Sequence, residues 1–116
     1  MKLQGSMNIS TLSETVSLLA GGSFQNTSFT IPNAWVLGVA TQVIETIVGV
    51  SSWRCGDTGN TVRYGDNLFP TQGTVTIRHT AHVSEALPIR IESGGGTFVS
   101  GSVRVIVQYL EVTNVT

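Results

Sequence analysis

Charge is scarce in this chain of 116 residues: Asp, Glu, Lys and Arg together make up 11%, where soluble proteins carry roughly 25%. Something other than ions must therefore cover the exterior. With a net charge of −1 and only six Lys and Arg residues, scattered along the chain, there is no basic surface to attract phosphate backbones, and nucleic acid is excluded as an expected partner. No apolar run approaches the roughly 18 residues of a membrane span, so no membrane insertion is expected. The single cysteine, Cys55, excludes an internal disulfide and a Cys-based zinc site. Its expected place is that of a small half-buried strand residue, not a reactive thiol. The opening MKLQGSM has one Lys and no apolar centre, which is not the pattern of a secretion signal. Residues 1–6 read as a vector remnant, with the natural start at Met7.

What is abundant is hydroxyl: 15 Thr and 12 Ser. A hydroxyl-rich, charge-poor exterior fits an extracellular or virion-surface protein, and equally a chain that hides much of its surface in an oligomer. The length allows one domain with a real core.

Along the chain the periodicity is that of strands. Ser23 to Ile31 alternates and stops at Pro32, and Trp35 to Val48 is a long β-branched run broken only by Gly38. Thr74–Arg78, Ile89–Glu92 and Val103–Tyr109 alternate cleanly. In the last of these Val103, Val105, Val107 and Tyr109 share one face, with Arg104 and Gln108 opposite. Turn chemistry fills the gaps at Gly56–Gly59, Gly65–Asn67, Pro70–Gly73 and Ser93–Thr97. Seven or eight short strands so joined predict an all-β fold over residues 23–116: a β-sandwich, with a jelly roll ahead of an immunoglobulin-like topology. Within the N-terminal segment 7–22, Thr11-Leu-Ser-Glu14 matches a capping box, and Leu12, Val16 and Leu19 fall at helical spacing before Gly21-Gly22. One short helix is expected there. A strand or coil competes with it, because the segment is short and rich in Ser and Thr.

Charge and aromatics concentrate in SSWRCGDTGNTVRYGDNLF, residues 51–69. Sugars are held by aromatic faces against their C–H surfaces and by planar polar groups that bond vicinal hydroxyls. Trp53, Arg54, Asp57, Arg63, Tyr64, Asp66 and Asn67 offer that mixture and form the candidate carbohydrate-binding set. A structural account competes residue by residue: Trp53 as core, and Arg63 paired with Asp57 or Asp66 to staple the loop.

Catalysis is not expected. Sugar hydrolysis needs two carboxylates about 5–10 Å apart, and Asp57 with Asp66 is the one pair that could meet, although Asp in Gly-rich loops is more often a turn former. His79 and His82 are spaced for a metal on a helix, but on a strand they point to opposite faces, so no metal site is expected. No G-x-S-x-G elbow, P-loop or dinucleotide fingerprint is present, and no cofactor is predicted.

The series Val39-Ala-Thr41-Gln-Val43-Ile-Glu45-Thr-Ile47-Val-Gly49, then Ser51-Ser-Trp53-Arg-Cys-Gly56-Asp57, then Arg63-Tyr-Gly65, resembles the C-terminal module of phage tail-fibre and spike proteins, including head-spike proteins of gene transfer agents. Gly94 to Gly101 followed by Val103 to Leu110 is similar to that module's closing strand. The segment Gly65–Pro70 departs from it, since relatives have a smaller Gly- and Ala-rich loop there. The resemblance implies a virion appendage tip domain, homotrimeric, joined to other virion appendage proteins and used to attach to host-surface polysaccharide. A purely structural domain that trimerises or caps a fibre is the alternative.

Overall fold

The computed structural model describes residues 7–112; the proposed vector remnant, residues 1–6, lies outside them. Eight strands follow in order: β1 (Met7–Ser17), β2 (Phe24–Asn26), β3 (Trp35–Val50), β4 (Trp53–Gly56), β5 (Gly65–Leu68), β6 (Val75–Val83), β7 (Arg90–Ser93) and β8 (Gly96–Val112). They form two antiparallel four-stranded sheets, a first of order β1-β8-β3-β6 and a second of order β2-β7-β4-β5. That order, in which the first and last strands lie side by side and the chain passes repeatedly between sheets, is the jelly roll. The immunoglobulin-like alternative is set aside by it.

The expected N-terminal helix is a strand instead. β1 pairs with β8 along its whole length, from Met7 opposite Val112 to Ser17 opposite Ser102. Leu12, Glu14, Val16 and Leu18 are the more buried set, and Thr11, Ser13, Thr15 and Ser17 are exposed, a period of two. The backbone groups on one side of β1 are bonded across the ladder to β8, and packing of its inward side chains outweighs the local capping signal. Residues 7–22 are therefore not a segment separate from the sandwich, because β1 is one of its edge strands.

The core lies between the sheets. β8 supplies Val103, Val105 and Val107, each fully buried, and Tyr109 beside them; Trp53, Cys55 and Ile91 face them from the second sheet. β3 supplies Val36, Val39 and Val43. Val36 and Val39 are three apart yet both point inward because a bulge between Val36 and Gly38 resets the alternation, as an extra residue on one strand must. The two sheets are unequal. The strands of the first run from 9 to 17 residues, whereas those of the second have 3 or 4. The molecule is accordingly elongated, 58 × 24 × 20 Å.

Candidate functional site

The segment 51–69 forms β4, a polar turn and β5. On β4 alternate residues divide between the two faces of the second sheet. Trp53 and Cys55 point inward, both with zero exposure. The Trp53 indole Nε1 donates to the Phe69 carbonyl at 2.9 Å, which satisfies its one polar group inside the core. Burial pushes the Cys55 thiol far above its ordinary range, with the Asp57 charge adding to it, so Cys55 is held protonated and inert. Arg54 lies on the outer face. Its Nη2 donates to the Ser93 carbonyl at 3.0 Å, and its Nε stands 4.0 Å from Glu92. Glu92 also faces Arg90 at 3.5 Å, and the Arg90 guanidinium stacks over the Phe24 ring, 3.8 Å from its centroid.

The turn is organised by Asp57, which is buried. Its Oδ1 accepts from the backbone N–H groups of Gly59 (2.9 Å) and Asn60 (2.8 Å), and its Oδ2 accepts from Arg63 Nε at 2.9 Å. This is the Asx-turn chemistry expected of Asp before a Gly-containing turn, reinforced by a charge-assisted bond. Tyr64 is buried beside it, with its hydroxyl 3.1 Å from His82 Nε2. Burial raises the Tyr64 phenol well above its usual value, and the Asp57 charge adds to the shift. Asp66 and Asn67 are exposed: Asp66 Oδ1 accepts from the Asn67 N–H at 2.8 Å, and Asn67 takes the left-handed backbone (φ 51°) that Asn tolerates.

Of the seven candidate residues, Asp57, Arg63 and Tyr64 come together around His82, but as the frame of a turn. Trp53 is a core residue, which corrects its reading as a sugar platform, since a side chain with no exposed surface cannot stack on a ligand. Arg54 lies across the sheet from that cluster among Glu92 and Arg90. Only Asp66 and Asn67 stand open, and both Asp57 carboxylate oxygens are already occupied. His79 is exposed and His82 is turned inward toward Tyr64.

The open surface features lie elsewhere, on residues not singled out above. Trp35, at the start of β3, is 49% exposed and lines a cleft of about 570 Å³ with Pro32, Asn33, Val83, Leu110 and Glu111. The signal was present in the sequence: Trp35 is adjacent to the inward Val36, so strand parity turns it outward. A second hollow of about 340 Å³ opens on the outer face of the first sheet between Leu37, Ile77 and Ile106. It exists because the position opposite Gln108 and His79 is Gly38, which has no side chain to fill it.

The sequence matches no family model, and no curated protein matches it. In space the chain is similar to one in the cyanophage Pam1 capsid asymmetric unit, with a TM-score of 0.62 and 22% identity, over 91% of this chain and 85% of that one. At that identity the likeness is one of fold. It is to a chain of a phage capsid.

Proposed function

We propose that this chain is a non-enzymatic structural subunit of a phage-type virion, exposed on the particle and assembled with copies of itself, as a homotrimer, and with other virion proteins. The observation that carries the reading is the eight-stranded jelly roll, whose spatial likeness over nearly the whole chain is to a component of a phage capsid. The charge-poor surface supports it, since residues that meet other subunits need not meet water as ions. Immunogold electron microscopy with an antibody against this chain tests the proposal on phage-type particles from the same source. Gold on the particle exterior is the expected result, and gold confined to particle-free material overturns it.

A second reading, attachment to host-surface polysaccharide, is supported by one specific feature. Trp35 offers a half-exposed indole in an open cleft beside Asn33 and Glu111, the combination of aromatic face and planar polar groups that sugars need. The reading moves the attachment site away from Trp53. A glycan array with the wild type and Trp35→Ala decides it: glycans retained by the wild type and lost in the variant support attachment through the cleft, and an array on which neither retains any sugar refutes it.

A further inference from the structure

We propose that the outer face of the first sheet, centred on Ile77 and Ile106, is the surface on which a second copy of this chain docks. The inference rests on the reading of the chain as a self-assembling particle subunit and names the surface that assembly uses.

The register of the sheet places its outward-facing apolar side chains in rows, exposed on the flanking strands and at Trp35 and half-buried at Leu110, Ala40 and Ile106. Ile9, Leu110, Trp35 and Val83 lie opposite one another across β1, β8, β3 and β6, and Ile106, Ala40 and Ile77 form a second row, with the row of Thr11, Gln108, Gly38 and His79 between the two. Ile9 is 65% exposed, Ile77 62% and Val83 55%. Single exposed apolar residues need no explanation, but two apolar rows on one sheet face, with the side-chain-free Gly38 between them, mark an interaction surface. The outer face of the second sheet is the internal control. It carries Arg54, Arg90 and Glu92 in ion-pair contact, the usual dress of a face that meets water.

The edges point the same way. The second sheet ends in β2 and β5, of 3 and 4 residues, too short to template pairing; the first ends in β1 and β6, of 11 and 9 residues. Long edges left uncovered are a liability that folded chains manage by shortness, charge or a covering element. The β6 edge has Val75, Ile77 and Val83 exposed on the apolar side.

Size and charge select the occupant. Four strands about 4.8 Å apart, used over about nine residues of about 3.3 Å rise, make a face of roughly 600 Å² in projection. A standard interface buries about 800 Å² per partner, so this face with its adjoining β6 edge is of the size a lasting contact requires. Arg104 and His79 lie beside these rows and Glu111 borders the cleft at Trp35; these few scattered charges offer no pattern by which a foreign partner could be selected. Interfaces between identical chains are the more apolar class, and the hollow over Gly38 is a socket for an apolar side chain of the neighbouring copy.

Light scattering on the wild type and on Ile77→Glu, with circular dichroism as the control of fold, provides the test. The wild type is expected to run as an oligomer, and the variant to self-associate roughly a hundredfold more weakly, because a carboxylate would be desolvated unpaired in the contact. An oligomer unchanged by Ile77→Glu overturns the docking face and leaves self-assembly standing. A monomeric wild type overturns the docking of a copy altogether; the particle-exterior reading is then judged separately by the immunogold result. Should Ile77→Glu fail to fold, Ile77→Cys carrying a spin label decides, since the buried Cys55 does not compete for the reagent. Immobilised spectra with coupling between copies support the face, and a mobile label in an intact oligomer overturns it.

Discussion

Asp57 and Arg63 face each other across the turn between β4 and β5, the guanidinium Nε 2.9 Å from the carboxylate Oδ2. The pair is unequal, because Asp57 is also held by two backbone N–H groups and Arg63 is not. Removing the carboxylate therefore strands three donors, whereas removing the guanidinium leaves Oδ2 without its donor while Oδ1 keeps both of its own. We expect Asp57→Ala to cost about 2–4 kcal/mol and Arg63→Ala about 1–2 kcal/mol, read as midpoint shifts in urea at constant slope. Equal losses would show that the turn is held by the ion pair alone.

Trp53→Ala removes the largest fully buried side chain and also leaves the Phe69 carbonyl without its donor. Large-to-small substitutions of buried aromatics cost about 3–5 kcal/mol, so the expected result is a marked loss of thermal stability, and for a marginal domain loss of the folded state. A variant with wild-type melting and altered glycan retention would return Trp53 to the surface role that the sequence also allowed.

Strand period was legible in the sequence and strand polarity was not. Val103, Val105, Val107 and Tyr109 share a face in sequence and in space, because nothing on β8 interrupts the alternation. In β1 the signal was ambiguous for a geometric reason: Leu12 and Val16 are four apart, a spacing that fits both the helical period and two strand periods. Glu14, on the more buried side of that strand, hides the alternation; its carboxylate is taken up by the Ser28 backbone N–H. Thr76 of β6 meets Thr41 on the inner side while Val75 and Ile77 point to solvent, which inverts the assignment hydropathy alone would make. Which face is inward is decided by pairing with strands tens of residues away. The same long-range pairing, of β4 with β7, put Trp53 inside and left the alternatives at that residue open until the partner strand was placed.

His82 gives the fold a dependence on pH. Burial lowers its imidazole below the ordinary 6.5, the Arg63 charge lowers it further, and Asp57 and Glu85 oppose the shift. Its Nδ1 is buried without a partner, while Nε2 meets the Tyr64 hydroxyl. With the folded value below the unfolded one, the unfolded chain takes up the proton first as pH falls. The stability contributed by neutral His82 is thus present above the unfolded value and lost as pH drops through it toward the folded value. Melting temperature is expected to fall between about pH 7.5 and about pH 5.5, and His82→Gln to flatten that slope. An unchanged slope in the variant would assign the pH response to other groups.

Gly49 ends the straight run of β3 with φ +101°, and a methyl group built on it would collide with the Thr97 carbonyl oxygen of β8. Gly73, in the turn before β6, also has a positive φ, +89°, but open space where a side chain would go. The two positions separate backbone strain from steric overlap. Gly73→Ala carries the left-handed penalty alone, about 1–2 kcal/mol, whereas Gly49→Ala adds displacement of a ladder strand and should cost roughly 3 kcal/mol or more. Since β3 and β8 are the central strands on which the apolar rows of the first sheet are built, the second substitution should also loosen the outer face. Thermal melts of the two variants, with hydrogen exchange at residues 96–101, measure both effects; equal melting losses would show that β8 yields to the added methyl without resistance.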